Sequence, residues 1–301
     1  MRPSRWLPFL ALFSLAALGL WAGWFRVGFS PAELAELERG WTELREWARI
    51  EESGPPDEGA LERIARGWKE AASESEQSEI LERFKDALAD PEHRAPINGQ
   101  AMLPLIELAR RAIEAPDADE GRTGHLLVLA RGMQRRGHLL TFFIGTSLAT
   151  DVLARCREDA TLIPIEIAAP PPRPAELFEA LCRDHLLLSE MLGEDGDGRG
   201  LDAGVLPALG DRDGEEFVWR SLRAALVEDA RRLYPLRNEP ARFAELPLPE
   251  SPDLFVRFRA TCLGRPADMQ ALLSPLLTGD VARLGATWSE FITDWHAVLG
   301  D

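Results

Sequence analysis

The sequence predicts an all-α protein in which about ten helices pack as antiparallel hairpins behind one hydrophobic N-terminal segment. Apolar residues recur every three or four positions through most of the chain, which is the spacing of one helix face. Proline- and glycine-containing stretches interrupt this pattern at short intervals, so successive helices are joined by short loops. Residues 6–25 read WLPFLALFSLAALGLWAGWF and carry no charge, although 28% of the chain is charged.

The uncharged segment 6–25 has the length of a transmembrane helix. Twenty helical residues rise about 30 Å, which matches the hydrocarbon core of a bilayer. Tryptophan stands at both ends, where amphipathic rings favour the level of the lipid headgroups. We therefore predict an uncleaved membrane anchor that binds the lipid bilayer, with these interface residues: Arg2, Arg5, Trp6, Trp21, Trp24 and Arg26.

A cleaved signal peptide is the main alternative for this segment. Ser14-Leu15-Ala16 offers a small-x-small cleavage site, but the apolar run continues beyond it to Phe25. Basic residues are denser before the segment than after it. This asymmetry predicts a cytoplasmic tail at residues 1–5 and a body on the other side of the membrane.

The body that follows the anchor is strongly acidic. Residues 1–26 contain three of the 34 basic residues and none of the 50 acidic ones, so the remainder carries 31 − 50 = −19. Such a charge opposes binding to nucleic acid or anionic lipid. The three cysteines, Cys156, Cys182 and Cys262, are too few for a disulfide framework, and their apolar helical contexts predict buried thiols.

The first helix of the body begins with a capping box, Ser30–Glu33, with Pro31 at its first position. Its apolar residues are spaced like two heptads: Leu34, Leu37, Trp41, Leu44 and Ala48. Two heptads are short for a coiled coil. We expect this face to pack on the body, with a stalk helix or a dimer seam as alternatives.

Later helical patterns cover 57–72, 75–89 and 99–115. The region 124–156 is the most apolar, and Leu139–Thr150 predicts a central helix that is buried on several sides. Gly132 and Gly137 are candidate positions for dividing this region into a helix pair.

The stretch 161–174, TLIPIEIAAPPPRP, separates two helical regions, 30–160 and 175–301, which form either one domain or two. Its alternating Ile163, Ile165 and Ile167 suggest one short strand. Further helices are expected at these places: 175–192, from a second capping box at Asp213–Glu216 to Tyr234, from Ser251, from Pro266, and around 284–295.

The stretch LLVLARGMQRRGHLL at 126–140 resembles the second helix and turn of a tetratricopeptide-type helical hairpin. The chain is also similar to uncharacterised bacterial proteins in which a membrane anchor precedes a tetratricopeptide-like body. The resemblance covers about 60 residues around 99–157, without a 34-residue period. It implies a bacterial inner-membrane protein whose body binds other proteins, and it supplies no catalytic residue.

Two patterns invite a metal-site interpretation. Cys182-x-x-His185 places two soft ligands on one helical face, but no second pair follows, so an apolar face is the simpler interpretation. Asp195, Asp197 and Asp202 suggest a calcium loop. A calcium loop starting at Asp195 needs oxygen ligands where Arg199 and Leu206 stand, so we expect a solvated loop.

Other titratable residues suggest no catalytic set. His125 and His138 lie on different faces of a continuous helix, so they do not share a ligand there. Asp151 is expected on an exposed polar stripe beside Arg155, one turn on.

We therefore predict a membrane-tethered, protein-binding helical scaffold with no catalytic, cofactor or metal residues. A tethered cell-envelope enzyme, such as a glycan hydrolase that uses one glutamate, is the first alternative. The second is an accessory subunit of a membrane complex, in which the span itself makes the contacts.

Overall fold

The computed structural model describes residues 29–49, 59–89, 102–165, 169–192, 212–246, 253, 267–268 and 281–300. Within these ranges the secondary structure is entirely helical, as the sequence predicts. Several predicted features lie outside the described residues: the anchor at 6–25, the acidic loop with Asp195, Asp197 and Asp202, the helix from Ser251, and most of the helix from Pro266.

The described part contains nine α-helices. They are α1 Pro31–Ala48, α2 Ala60–Glu70, α3 Glu74–Ala89, α4 Met102–Glu114, α5 Glu120–Arg136, α6 Leu139–Glu158, α7 Glu176–Leu192, α8 Arg212–Leu233 and α9 Val281–Leu299. Three short 3-10 helices accompany them, at Ala160–Leu162, Tyr234–Leu236 and Pro240–Glu245.

The chain forms two compact units. Unit 1 comprises 1–44, 185–232 and 247–280, and unit 2 comprises 45–184, 233–246 and 281–301. The predicted helical regions 30–160 and 175–301 each contribute residues to both units.

In unit 1, α1 packs against α8 at Gly40, where an added Cβ would meet the side chains of Val227 and Arg231. The capping box of α1 is confirmed. The amide of Ser30 donates to Glu33 Oε2 at 2.7 Å, and the amide of Glu33 donates to Ser30 Oγ at 3.3 Å. The expected apolar face is buried at Leu37, Trp41, Leu44 and Ala48, while Leu34 is half-buried.

The second predicted capping box, Asp213–Glu216, lies in the first turns of α8. With Asp213 as the cap, the first helical residue would be 214, but α8 already begins at Arg212. Helix ends fray and are assigned to within one or two residues, so the observed start agrees with the pattern to that precision.

The centre of unit 2 is the hairpin of α5 and α6. The expected division falls at Gly137, between the two helices, whereas Gly132 lies inside α5. Gly145 of α6 allows the helices to approach closely, because a Cβ there would lie 2.6 Å from the carbonyl oxygen of Ala130.

Helix α6 is the central helix that the sequence predicts, and it buries Phe142, Leu148 and Leu153. Among the described residues it is the one helix whose length and composition would suit a membrane span, and 50% of its apolar window is buried inside the protein.

The other elements of unit 2 enclose this hairpin. Helix α2 packs on α3 and α4, while α4 and α9 pack on α6. The 3-10 helix Pro240–Glu245 lies against α9. No strand forms at 161–165; Thr161 and Leu162 belong to a 3-10 helix, and Ile167 lies outside the described residues. The start of the predicted strand therefore forms a 3-10 turn instead, in which the amide of Ile163 donates a hydrogen bond to the carbonyl of Ala160.

Candidate functional site

Polar side chains are concentrated in the interior of unit 2, around Arg131 of α5. Arg131 is 1% exposed and forms an ion pair of 2.8 Å with Glu176 of α7, which is equally buried. It also donates to Gln134, whose amide donates to Thr146 Oγ1 of α6 at 3.1 Å. Burial lowers the pKa of Arg131, and the charge of Glu176 opposes this shift. The pair thus links α5, α6 and α7.

The same guanidinium holds the proline-rich segment. We call residues 169–174 the proline strap. Arg131 Nε donates to the carbonyl of Pro170 at 2.8 Å, and Nη2 donates to that of Pro171 at 3.1 Å. Farther along the strap, Trp288 Nε1 of α9 donates to the carbonyl of Arg173 at 3.3 Å. The strap is therefore bound through its carbonyls, the only polar backbone groups that proline residues have.

A second buried arginine, Arg183 of α7, binds the ends of two helices. It donates to the carbonyls of Gly137 at 2.8 Å, Gln134 at 3.2 Å and Ala48 at 3.1 Å. These groups lie at the C-termini of α5 and α1, where carbonyls lack partners within the helix and the helix dipole favours a cation. Burial lowers the pKa of this arginine, and Glu179 opposes the shift.

Unit 1 contains a buried histidine–carboxylate pair. His185 Nε2 of α7 donates to Asp229 Oδ2 of α8 at 3.1 Å, and Arg232 donates to the other oxygen at 3.0 Å. His185 Nδ1 has no hydrogen-bond partner. Because the carboxylate only accepts, the hydrogen bond places a proton on Nε2. This orientation is that of a general-base histidine, but the ring is 4% exposed.

The two predicted soft ligands lie on α7 and have different surroundings. His185 is oriented by Asp229, whereas Cys182 is a buried thiol of unit 2. Cys156 is also buried, and its thiol donates to the carbonyl of Leu162 at 3.6 Å. Within the described ranges, no group of three or more histidine, cysteine, aspartate or glutamate side chains is arranged to hold a metal ion.

Asp151 is partly exposed, as expected for a polar stripe, but its partner differs from the expected one. Asp151 Oδ2 accepts a hydrogen bond of 2.7 Å from Arg110 Nε of α4. Arg155 instead donates to Glu158 at 2.9 Å. The neighbouring helix supplies the cation that the sequence pattern places one turn along α6. His138 Nδ1 donates to the carbonyl of Arg183 at 3.1 Å, so it serves the hairpin turn.

Sequence reasoning missed both buried arginines. Arg131 is followed on α5 by Arg135 and Arg136, and only the latter two are exposed. The available signal was the position of Arg131 between the buried Ala130 and Met133, on the apolar side of α5. No protein-family model, curated protein or solved structure matches this chain.

Proposed function

We propose that this protein is a membrane-tethered scaffold whose helical body binds other proteins in the bacterial cell envelope. The anchor at 6–25 and the charge distribution beside it support the tether and the orientation, with the N-terminus in the cytoplasm. The tether confines the body to two dimensions and raises its effective concentration for partners at the membrane.

One observation carries the binding role: unit 2 exposes large apolar side chains, two on helices α4 and α6 and one in the segment that precedes the proline strap. Its interior guanidinium groups bind helix ends and the proline strap, which joins these elements inside unit 2. A surface that is already ordered loses little entropy on association. The exposed side chains are Leu103, at 76%, Leu140, at 66%, and Ile165, at 84%.

Protease treatment of intact spheroplasts tests the tether. We expect the body to be digested while peptides from Met1 to Arg5 persist, and the untreated protein to keep its original N-terminus. Protection of the body would reverse the orientation. A mature N-terminus near Ala17 would show that the segment is a signal peptide and would overturn the tether.

Site-directed photocrosslinking in cells tests the binding role. A benzophenone amino acid replaces Leu103, Leu140 or Ile165 in turn, with exposed Glu79 of α3 as the control position. We expect protein adducts from at least one apolar position and none from Glu79. Absence of adducts at all positions, together with turnover of a cell-wall glycan by the purified protein, would contradict the scaffold.

A tethered glycan hydrolase is the second candidate, because the structure singles out one glutamate. Glu62 of α2 is 3% exposed, and its Oε1 has no hydrogen-bond partner. A buried carboxyl with one oxygen that lacks a hydrogen-bond partner is a candidate general acid. In this case Glu62→Gln would abolish hydrolysis of isolated peptidoglycan, whereas Glu79→Gln on the surface of α3 would leave it unchanged.

A further inference from the structure

Helices α4 and α6 run in the same direction through unit 2, so their first turns lie toward the same end of it. Arg122, in the first turn of α5, donates to the carbonyl of Ala112, in the last turn of α4, at 3.3 Å. Because α5 and α6 form an antiparallel hairpin, the start of α5 also lies beside the end of α6, where a Cβ at Gly124 would be 3.6 Å from Pro164. The last turns of α4 and α6 therefore meet at one end, and their first turns lie toward the hairpin turn at the other, which we call the hairpin end.

Two of the large hydrophobic side chains exposed in the described part lie toward the hairpin end. Leu140 precedes Asp151 by about three helical turns, so the two side chains lie in one row of α6. Leu103 precedes Arg110 by about two turns and lies in the same row of α4. Because Arg110 pairs with Asp151 at 2.7 Å, the two rows face the same junction between the helices. We call this surface the hairpin-end patch; its leucines are exposed and its isoleucines half-buried, and it consists of Leu103, Ile106, Leu140 and Ile144.

The hairpin that forms this end lacks acidic residues. Residues 121–150 contain four arginines and no aspartate or glutamate, although the chain has 50 acidic residues among 301. Arg135 and Arg136, directly before the turn, are exposed, and no hydrogen bond or ion pair of Arg135 is found among the described residues. Asp184 of α7, next to the residue whose carbonyl accepts a hydrogen bond from His138, is half-buried. Two exposed cations beside one half-buried anion leave the turn positive, in a body that carries −19.

An aliphatic patch beside exposed arginines has the chemistry of a surface that rests in the interface of a bilayer. Aliphatic side chains enter the boundary between headgroups and acyl chains, while long basic side chains extend to the lipid phosphates. Glu107, an acidic residue at the border of the patch, is paired with Arg111 at 3.6 Å. The body's charge of −19 opposes anionic lipid at long range, but that repulsion is screened beyond about 8 Å at physiological ionic strength. The local charge of the hairpin end therefore decides the contact.

We propose that the hairpin-end patch is a second membrane contact, in which Leu103 and Leu140 enter the bilayer interface and Arg135 binds phospholipid phosphates. This inference rests on the proposed tether, which keeps the body at the bilayer at high effective concentration. A bilayer is the occupant that the tether already supplies, and its phosphates complement the charge of the turn. Ile165, which follows Pro164 at the opposite end of the hairpin, stays available to protein partners.

Photocrosslinking of the full-length protein in vesicles tests the contact. The protein carries a benzophenone amino acid at Leu103, at Leu140 or at Ile165, and it is reconstituted in vesicles of phosphatidylcholine and phosphatidylglycerol. Ile165 is the matched control, because it is also a large exposed aliphatic residue but lies at the opposite end of the hairpin. We expect phospholipid adducts at Leu103 and Leu140 and none at Ile165, as identified by mass spectrometry.

Charge reversal tests the role of the arginine. Arg135→Glu places an anion beside the lipid phosphates, so we expect the yield of lipid adducts at Leu140 to fall at least about fivefold, the factor that one basic residue contributes near an anionic surface. Lys69→Glu is the matched control, since Lys69 is exposed and follows Trp68, which lies against Arg111 in the last turn of α4, away from the hairpin end. It is expected to keep the wild-type yield. Vesicles of phosphatidylcholine alone are expected to lower the yield without any change of the protein, and circular dichroism establishes that each variant is folded.

Flotation of the vesicles separates this inference from the tether. Protein that floats with the vesicles but gives no lipid adducts at Leu103 and Leu140, or as many at Ile165, would refute the second contact and leave the tether standing. Protein adducts at Leu140 in cells, without lipid adducts there, would assign the patch to a partner protein and would also refute it. Protein that fails to float would remove the tether and the second contact together.

Discussion

Two arginines of unit 2 are almost equally buried, but their surroundings stabilise the charge in different ways. Arg131 faces a carboxylate, Glu176, and two strap carbonyls. Arg183 binds three carbonyls at helix C-termini. The charge of Arg131 is stabilised by an opposite charge, whereas the charge of Arg183 is stabilised by the dipoles of helix C-termini. The difference predicts that losing Arg131 leaves a buried anion, whereas losing Arg183 leaves only neutral acceptors.

The largest expected effect is that of Arg131→Met. Breaking a buried ion pair by removing one partner costs about 3–5 kcal/mol, and we expect the lower end of that range here, because Glu176 keeps its contact with Arg173 at 3.3 Å. Chemical denaturation of the purified protein measures this loss. If Glu176 is the cause, Arg131→Met with Glu176→Leu is less destabilised than Arg131→Met alone. A double variant as unstable as the sum of both single changes would contradict the comparison.

The second effect is that of Arg183→Met, for which we expect a loss of about 2–3 kcal/mol from unsatisfied helix-end carbonyls. No change of an acidic residue is expected to restore this loss. Arg39→Met is the matched control, since that side chain is 72% exposed and pairs with Glu36 one turn away. Its free energy of unfolding is expected to stay within about 0.5 kcal/mol of the wild type. Rescue of Arg183→Met by Glu179→Leu would show that this site also depends on a carboxylate.

At a third helix end, a backbone carbonyl accepts a hydrogen bond from a neutral thiol instead of a guanidinium. The thiol of Cys156, in the last turn of α6, donates to Leu162, and burial raises its pKa to about 11. The unfolded thiol titrates near 8.5, so the unfolded state loses its proton first. Stability from this group is complete below about pH 8.5 and is lost as the pH rises toward about 11. Cys156→Ala is expected to flatten that decline, as measured by urea unfolding at pH 8, 9 and 10. An equal decline in both proteins would contradict it.

The smallest effect concerns an ion cluster whose carboxyl, Asp117, is exposed. Arg122 and Lys85 donate to Asp117, and these bonds lower the pKa of that carboxyl. The stabilisation is present above the unfolded pKa of about 4 and is lost as the pH falls through the lower folded value. Asp117→Asn is expected to lower the Tm slightly at pH 7, less at pH 3, and less in 1 M salt. A decrease in Tm as large as that caused by Arg183→Met would contradict the expectation that an exposed ion pair contributes less to stability than a buried one.

The features that the sequence predicted are those encoded by neighbouring residues. The Ser30–Glu33 capping box spans one turn and forms as expected. Gly137 ends α5 within the predicted region. The apolar spacing of α1 marks the residues that the fold buries.

Features that depend on distant residues were missed or assigned to the wrong partner. Asp151 was paired with Arg155, which is local, whereas its partner Arg110 lies 41 positions away. Arg183 binds Ala48 from 135 positions away, and the acceptor is a backbone carbonyl, which every residue possesses. When a side chain binds a backbone carbonyl, its partner can be any residue type. The sequence therefore contains no complementary residue that would reveal the contact.

The bond from Trp288 to the proline strap also bears on the order in which the protein is made. Its donor and acceptor are 115 positions apart, and unit 2 includes both the hairpin α5–α6 and α9. At ribosomal rates of about 5–20 residues per second, the hairpin leaves the ribosome roughly ten seconds before α9 does. During that interval the nascent chain lacks the indole that donates to the carbonyl of Arg173. Unit 2 therefore cannot finish folding until its last helix has been translated.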